Sequence, residues 1–159
     1  MRPIVLATDG SPSAAQATKV AVELAHETGA HLFVVAAWEA ALTAYPYAPV
    51  ATMPDVEKAD RARAATAARA AIDCAEEAGV DADSVVRQGD AVDIVSATAK
   101  EIGASLIVVG SHGWGKFRRL VFGSVSMALL HNPPCPVLVA RYDQTAPDAR
   151  ADEKEKVVA

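Results

Sequence analysis

Glycines and hydroxyl-bearing residues are concentrated in two short turns in the last third of the chain. Residues 110–113, GSHG, directly follow an apolar run, and nine residues later residues 123–126, GSVS, precede a segment of helical spacing. Glycines after a strand let the backbone approach a bulky anion, and a helix start offers unpaired N–H groups and a positive dipole end. The two turns are therefore predicted to form a phosphate cradle, in which the hydroxyls of Ser124 and Ser126 are further donors.

Two better-known phosphate-binding signatures do not fit this region. Gly110 to Lys116 matches G-x-x-x-x-G-K, but Phe117 follows where a P-loop needs a hydroxyl for Mg²⁺. The dinucleotide fingerprint fails because Arg118 stands where its third glycine should be. From spacing alone, the alternative that these glycines only form turns stays open.

Apolar runs and segments of helical spacing alternate along the chain, which is the pattern of an α/β protein. The predicted strands are residues 4–7, 31–37, 84–87, 106–109 and 137–140, and the predicted helices are about residues 12–28, 54–77, 91–102 and 124–131. This order predicts a five-stranded, mostly parallel doubly wound sheet of the flavodoxin or Rossmann kind, with helices on both faces.

Ligands bind such sheets at the carboxyl ends of the strands, beside the point where the strand order reverses. In this chain the rule points to residues 8–10 after the first strand, 37–38 after the second and 110 onward after the fourth. Asp9 also has an alternative role, because an aspartate often accepts a hydrogen bond from the backbone two residues on and so caps a turn. Both roles for Asp9 stay open at this point.

Length and charge limit the classes of protein to be considered. The chain has 159 residues and a net charge of −5, which predicts one domain over residues 1–141 and a polar, flexible tail over 142–159. A negative charge argues against nucleic acid or an anionic membrane as partner.

Two cysteines make no disulfide framework. We expect a cytoplasmic protein because neither a signal peptide nor a membrane-spanning stretch is evident. Residues 39–53 form a long irregular segment, typical of a lid or a disordered loop.

Three separate segments resemble the universal stress protein family. The spacing G-x-x-G, nine residues, G-S resembles that family's nucleotide-binding motif, the opening IVLATDGS its first strand and aspartate, and the closing CPVLVAR its last strand. The resemblance covers about residues 2–141. Because the motif is intact, the resemblance places the chain with the ATP-binding branch of the family.

The resemblance implies a site for an adenine nucleotide, ATP together with Mg²⁺. Asp9 would contact the adenosine portion, the backbone of Ala37 would hold the adenine, and Val109 would lie against the nucleoside. The full set of implied binding residues is Thr8, Asp9, Ala37, Val109, Gly110, His112, Gly113, Gly123, Ser124, Val125 and Ser126. The family also implies a homodimer through the edge strand Val137 to Ala140, whose apolar sequence lacks the charge that normally blunts an edge.

The function expected from these features is a stress-response protein that binds ATP and acts as a nucleotide-dependent switch. His112 is the only titratable base near the motif, and no second carboxylate accompanies Asp9, so we expect no more than slow hydrolysis or autophosphorylation. Two alternatives stay open. The same site would serve a cyclic nucleotide such as cAMP, or the protein is a dimeric interaction module whose nucleotide is structural or absent.

Overall fold

The computed structural model describes residues 2–39, 42–43, 51–52, 54–111 and 123–141 of the chain. Within these ranges the elements are β1 (Ile4–Ala7), α1 (Pro12–Thr28), β2 (Leu32–Trp38), β3 (Leu42–Thr43), β4 (Ala51–Thr52), α2 (Pro54–Glu77), β5 (Ala82–Gln88), α3 (Ala91–Glu101), β6 (Leu106–Gly110), α4 (Ser124–His131) and β7 (Val137–Ala140). None of the helices in these ranges is long and apolar enough to cross a membrane.

Five of the strands form one sheet in the order β5-β2-β1-β6-β7, and each neighbouring pair is parallel. The chain runs outward from β1 through β2 to β5, crosses back, and continues outward on the other side through β6 and β7. This is the predicted doubly wound α/β fold, and its main sheet is parallel throughout.

Helices cover both faces of the sheet, as the alternation of strands and helices predicts. Small residues of α1 and α2, such as Ala17 and Ala68, pack with Leu6 on one face. Val95 of α3 and Leu129 of α4 pack with side chains of the opposite face. β1 lies at the centre and is buried along its whole length, which explains why its sequence is an unbroken apolar run.

The ends of α1 follow directly from its capping residues. Ser11 is the N-cap, and its hydroxyl accepts a hydrogen bond from the backbone N–H of Ala14 at 3.2 Å. Pro12 occupies the first turn, where a missing N–H leaves no bond unmade. Gly29 ends the helix in the left-handed conformation with φ of 62°. The helix bounds agree with the segment predicted from the sequence at about residues 12–28.

The segment 39–53, expected to be irregular, contains a short hairpin ladder. Leu42 pairs with Thr52 and Thr43 with Ala51, forming the antiparallel strands β3 and β4. Two-residue strands are too short to show the alternation by which strands are recognised in sequence. The remainder of this segment, and the tail 142–159, lie outside the described residues.

Thr98 of α3 has a hydroxyl buried in the core, and replacing this residue tests how much an unpaired buried hydroxyl lowers the stability of the fold. Its side chain is 1% exposed, and its Oγ1 has no hydrogen-bond partner in the described part of the chain. Because an unpaired buried hydroxyl is destabilising, we expect Thr98→Val to raise the free energy of unfolding by about 1 kcal/mol in urea denaturation.

Thr18→Val is the matched control, since the buried Thr18 hydroxyl donates to the carbonyl of Ala14 at 2.9 Å. That substitution removes a satisfied hydroxyl and is expected to leave stability unchanged or slightly lower. Equal effects of the two substitutions would contradict the assignment of an orphaned hydroxyl at Thr98.

Candidate functional site

The carboxyl ends of all five strands lie along one edge of the sheet because the strands are parallel. The strand order reverses between β1 and β6, because the chain adds strands first on one side of β1 and then on the other. The connections that leave these two strands therefore diverge. A crevice is expected between diverging connections. Residues 8–10 form its wall on the β1 side, and Gly110 and Ser111 form its wall on the β6 side.

The turn after β1 is held by hydrogen bonds from its backbone N–H groups to its own side chains. The N–H of Ser11 donates to Oδ1 of Asp9 at 2.9 Å, and the N–H of Gly10 donates to Oγ1 of Thr8 at 3.3 Å. Gly10 has φ of +75°, and an added Cβ there would lie 3.1 Å from Cβ of Ala67 in α2. Asp9 therefore caps a turn, as the alternative interpretation predicted. A carboxylate can accept about four hydrogen bonds, so this role is compatible with ligand contact.

Ala37 presents its backbone to the crevice. The last residue of β1, Ala7, is paired with Val35, so β2 continues beyond the end of β1. The carbonyl of Val35 accepts from Thr8 on the β1 side, whereas that of Trp38 accepts from Gly89 on the β5 side. Backbone groups alternate in direction along a strand, so the N–H and C=O of Ala37 point to the β1 side, above the last pair of β1.

Gly110 is a glycine because the first turn of α1 lies directly against it. An added Cβ would be 2.7 Å from both the carbonyl carbon and the Oγ of Ser13. A side chain at residue 110 would therefore require the backbone of Ser13 to move. The sequence left open whether Gly110 serves a ligand or only a turn, and the structure shows that helix packing already requires a glycine at this position.

Ser111 joins the two turns of the predicted cradle. Its carbonyl accepts a hydrogen bond from the N–H of Gly123, and its own N–H donates to the carbonyl of Ala140 at 2.9 Å. The end of β6 and the start of α4 are therefore hydrogen-bonded to each other through Ser111 and Gly123. Ser111 was not among the predicted binding residues, although it lies in the predicted turn 110–113.

The start of α4 lies at the same edge. Gly123 is its N-cap and provides no side-chain hydrogen bond, so the first N–H groups of the helix have no cap from that residue. Ser124 is exposed there. The hydroxyl of Ser126 is buried and donates to the carbonyl of Gly123 at 2.9 Å. In this structure its proton is thus donated within the turn, and the role of this hydroxyl as a phosphate donor stays a prediction.

Nine of the eleven predicted site residues lie in the described part of the chain, and all nine are placed at this edge. They are Thr8, Asp9, Ala37, Val109, Gly110, Gly123, Ser124, Val125 and Ser126. His112 and Gly113 lie outside the described residues. At the opposite edge of the sheet, burial raises the pKa of the Cys135 thiol above its ordinary value, which makes that cysteine a poorer nucleophile.

The fold is a doubly wound α/β domain whose switch point lies between β1 and β6. A model of the universal stress protein family matches residues 1–141. Universal stress protein YxiE of Bacillus subtilis is 32% identical over 144 residues, a match covering 87% of this chain and 97% of the relative. The chain belongs to the universal stress protein family.

Solved structures of related proteins have the same fold. A universal stress protein from Burkholderia pseudomallei is 28% identical with a TM-score of 0.69, covering 87% of this chain and 94% of that one. A universal stress protein in complex with cAMP is also 28% identical, with a TM-score of 0.63 and coverage of 87% and 95%. More distant structures, one from Arabidopsis thaliana with AMP at 18% identity and one from Archaeoglobus fulgidus with dAMP at 21%, establish likeness of fold alone.

The contact between Gly110 and α1 leads to a prediction. Gly110→Ala is expected to lower the free energy of unfolding by about 1 to 3 kcal/mol, because the new methyl group overpacks against Ser13. Hydrogen exchange should show faster exchange in the first turn of α1.

Gly103→Ala is the control for the location of this effect. Gly103 has φ of +62° and no atoms within 4 Å of an added Cβ, so its substitution is also destabilising but through the backbone alone. Exchange in α1 that rises equally in both variants would contradict the steric account.

Proposed function

We propose that this universal stress protein binds an adenine nucleotide, ATP with Mg²⁺, at the carboxyl edge of its sheet and acts as a nucleotide-dependent switch in a stress response. The observation that carries the proposal is the junction at Ser111, which brings the Gly110 turn and the Gly123 turn together beside the Asp9 turn. The related structure with cAMP, which is 28% identical, supports an adenine nucleotide as the ligand. A cytoplasmic location for the domain at 1–141 is part of the proposal.

In this proposal the two walls of the crevice bind different parts of the nucleotide. The backbone N–H and C=O of Ala37 hydrogen-bond the edge of the adenine. Asp9 accepts from hydroxyls of the ribose, and Val109 provides apolar contact for the nucleoside. The first N–H groups of α4 and the hydroxyl of Ser124 donate to the phosphates, where the helix dipole favours negative charge. Gly113 and His112 complete the phosphate side.

Mg²⁺ is assigned to the phosphates of the nucleotide rather than to a protein cage. Among the described residues there is no group of three or more acidic, histidine or cysteine side chains placed to hold a metal ion. Mg²⁺ commonly binds through substrate phosphates and retained waters, which requires few protein ligands. The proposal is one of binding, with at most slow hydrolysis or autophosphorylation.

A cyclic nucleotide is the second candidate ligand. The specific observation in its favour is the related structure, 28% identical, that was determined with cAMP. The single phosphate of cAMP would bind at one helix N-terminus, and α4 provides one. The assignment of ATP or cAMP therefore depends on whether affinity increases with the number of phosphates.

The proposed dimer forms through the free edge of β7. On the sheet side β7 is bonded to β6, while Val137 and Val139 have their backbone groups directed away from it, because Pro136 and Ala140 accept from β6. Met127 and Leu130 of neighbouring α4 are 53% and 42% exposed, which adds apolar surface beside this edge. An unpaired apolar edge is a template for pairing with a second copy.

Calorimetric titration with ATP, AMP and cAMP, with and without Mg²⁺, tests the ligand. We expect ATP to bind more tightly in the presence of Mg²⁺. Asp9→Asn should weaken every adenine nucleotide by about tenfold, since an amide keeps the turn hydrogen bond but loses the charge-assisted contact to the ribose.

Asp90→Asn is the matched control. Asp90 also caps backbone N–H groups at the carboxyl edge, accepting from Val92 at 2.8 Å and Asp93 at 3.0 Å, but beside the outer strand β5. The affinity of the Asp90→Asn variant for nucleotide should equal that of the wild type. Absence of binding by all three nucleotides would instead favour the interaction module without nucleotide.

Val139→Pro tests the edge pairing in sedimentation velocity experiments. Proline removes the N–H that points away from β6 and keeps the bonds to β6, so we expect a monomer. Val139→Ala, which loses a similar side chain but keeps that N–H, should remain a dimer. A wild-type monomer at about 50 μM, a concentration at which stable dimers persist, would refute the proposed dimer.

A further inference from the structure

The two walls of the expected crevice come from parts of the chain far apart in sequence, and they are joined by a buried contact between two serine hydroxyls. Oγ of Ser13, in the first turn of α1, lies 3.3 Å from Oγ of Ser111, 98 residues away. The two residues are 4% and 2% exposed. Gly110, beside Ser111, has no side chain, and this lets the backbone of Ser13 approach the end of β6.

Each partner in this contact is attached to one wall. Ser13 belongs to the helix turn whose N-cap, Ser11, is bonded to Asp9. Ser111 is bonded through its backbone to Gly123 at the start of α4. Ser13 and Ser111 therefore link Asp9 to the first N–H groups of α4, in addition to the direct pairing of β1 with β6. In the low dielectric of a buried site, a hydrogen bond between hydroxyls holds this spacing more firmly than it would in water.

We propose that Ser13 is a positioning residue of the nucleotide site, one that fixes the phosphate-binding wall relative to the nucleoside-binding wall through its hydroxyl pair with Ser111. This inference rests on the proposed function. Ser13 itself touches no ligand in this arrangement.

The positioning role of Ser13 predicts different effects on the binding of adenosine and of AMP. Adenosine contacts Asp9, Ala37 and Val109, and it does not reach the start of α4. AMP spans both walls, because its phosphate reaches the start of α4. Loss of the hydroxyl pair lets the walls shift relative to each other, so AMP binding is weakened and adenosine binding is not.

The test compares Ser13→Ala with the wild type, using calorimetry for AMP and displacement of a fluorescent ATP analogue for adenosine. We expect the affinity for AMP to fall about fivefold, the effect of one net hydrogen bond, while that for adenosine stays within about twofold. Thr18→Val is the control, because it removes another buried hydroxyl of α1, one that donates to Ala14 within the helix. Its ratio of AMP to adenosine affinity should equal that of the wild type.

Equal weakening of AMP and adenosine in Ser13→Ala, or the same change of ratio in Thr18→Val, would overturn the positioning role. A second measurement separates this failure from failure of the proposed function. In the ligand-free protein, Ser13→Ala should speed exchange of the Gly123 amide, and Ser111→Ala should add less than its own effect when combined with it. Additive effects, or an unchanged Gly123 amide, refute the contact as a link between the walls. If the contact is verified but the wild type binds no nucleotide, the proposed function fails, and the role of Ser13 at a nucleotide site fails with it.

Discussion

The candidate site depends on the central strand stopping before its neighbours do. β1 ends at Ala7, while β2 continues from its partner Val35 to Trp38 and β6 continues from Val109 to Gly110. The turn that ends β1 is built from an Asx hydrogen bond at Asp9 and a left-handed glycine at Gly10. Without that turn the central strand would fill the gap, and the backbone of Ala37 would be used in the ladder instead of facing a crevice.

Much of the fold could be predicted because short-range chemistry sets its boundaries. The bounds of β1, β7 and α4 agree with the sequence prediction, since each is an apolar or helical stretch bounded by turn-forming residues. β5 is longer than predicted, running from Ala82 to Gln88, because it is an edge strand with several exposed polar residues and no continuous apolar run. The β3–β4 ladder could not be foreseen, because a two-residue pairing depends on tertiary contact.

The site was predictable to the extent that it depends on residues near strand ends. The positions of Asp9 and Ala37 follow from the strand order, and both lie where that order requires. The contact between Ser13 and Ser111 joins residues 98 apart, and serines on helices carry no signal of a distant partner. The bond from the Ser126 hydroxyl to the Gly123 carbonyl was not predicted either, because it depends on how the helix begins.

The strand order also has a consequence for synthesis on the ribosome. β1 precedes the other strands of the sheet in the chain, and its neighbour β2 is made soon after it, but its other neighbour is β6, residues 106–110. At about 5 to 20 residues per second, an apolar strand edge stays unpaired for roughly 5 to 20 seconds while the intervening residues are added. The nascent chain during that interval resembles an unfinished sheet whose exposed edge is its future centre, which makes it a natural client for chaperones that bind extended apolar segments.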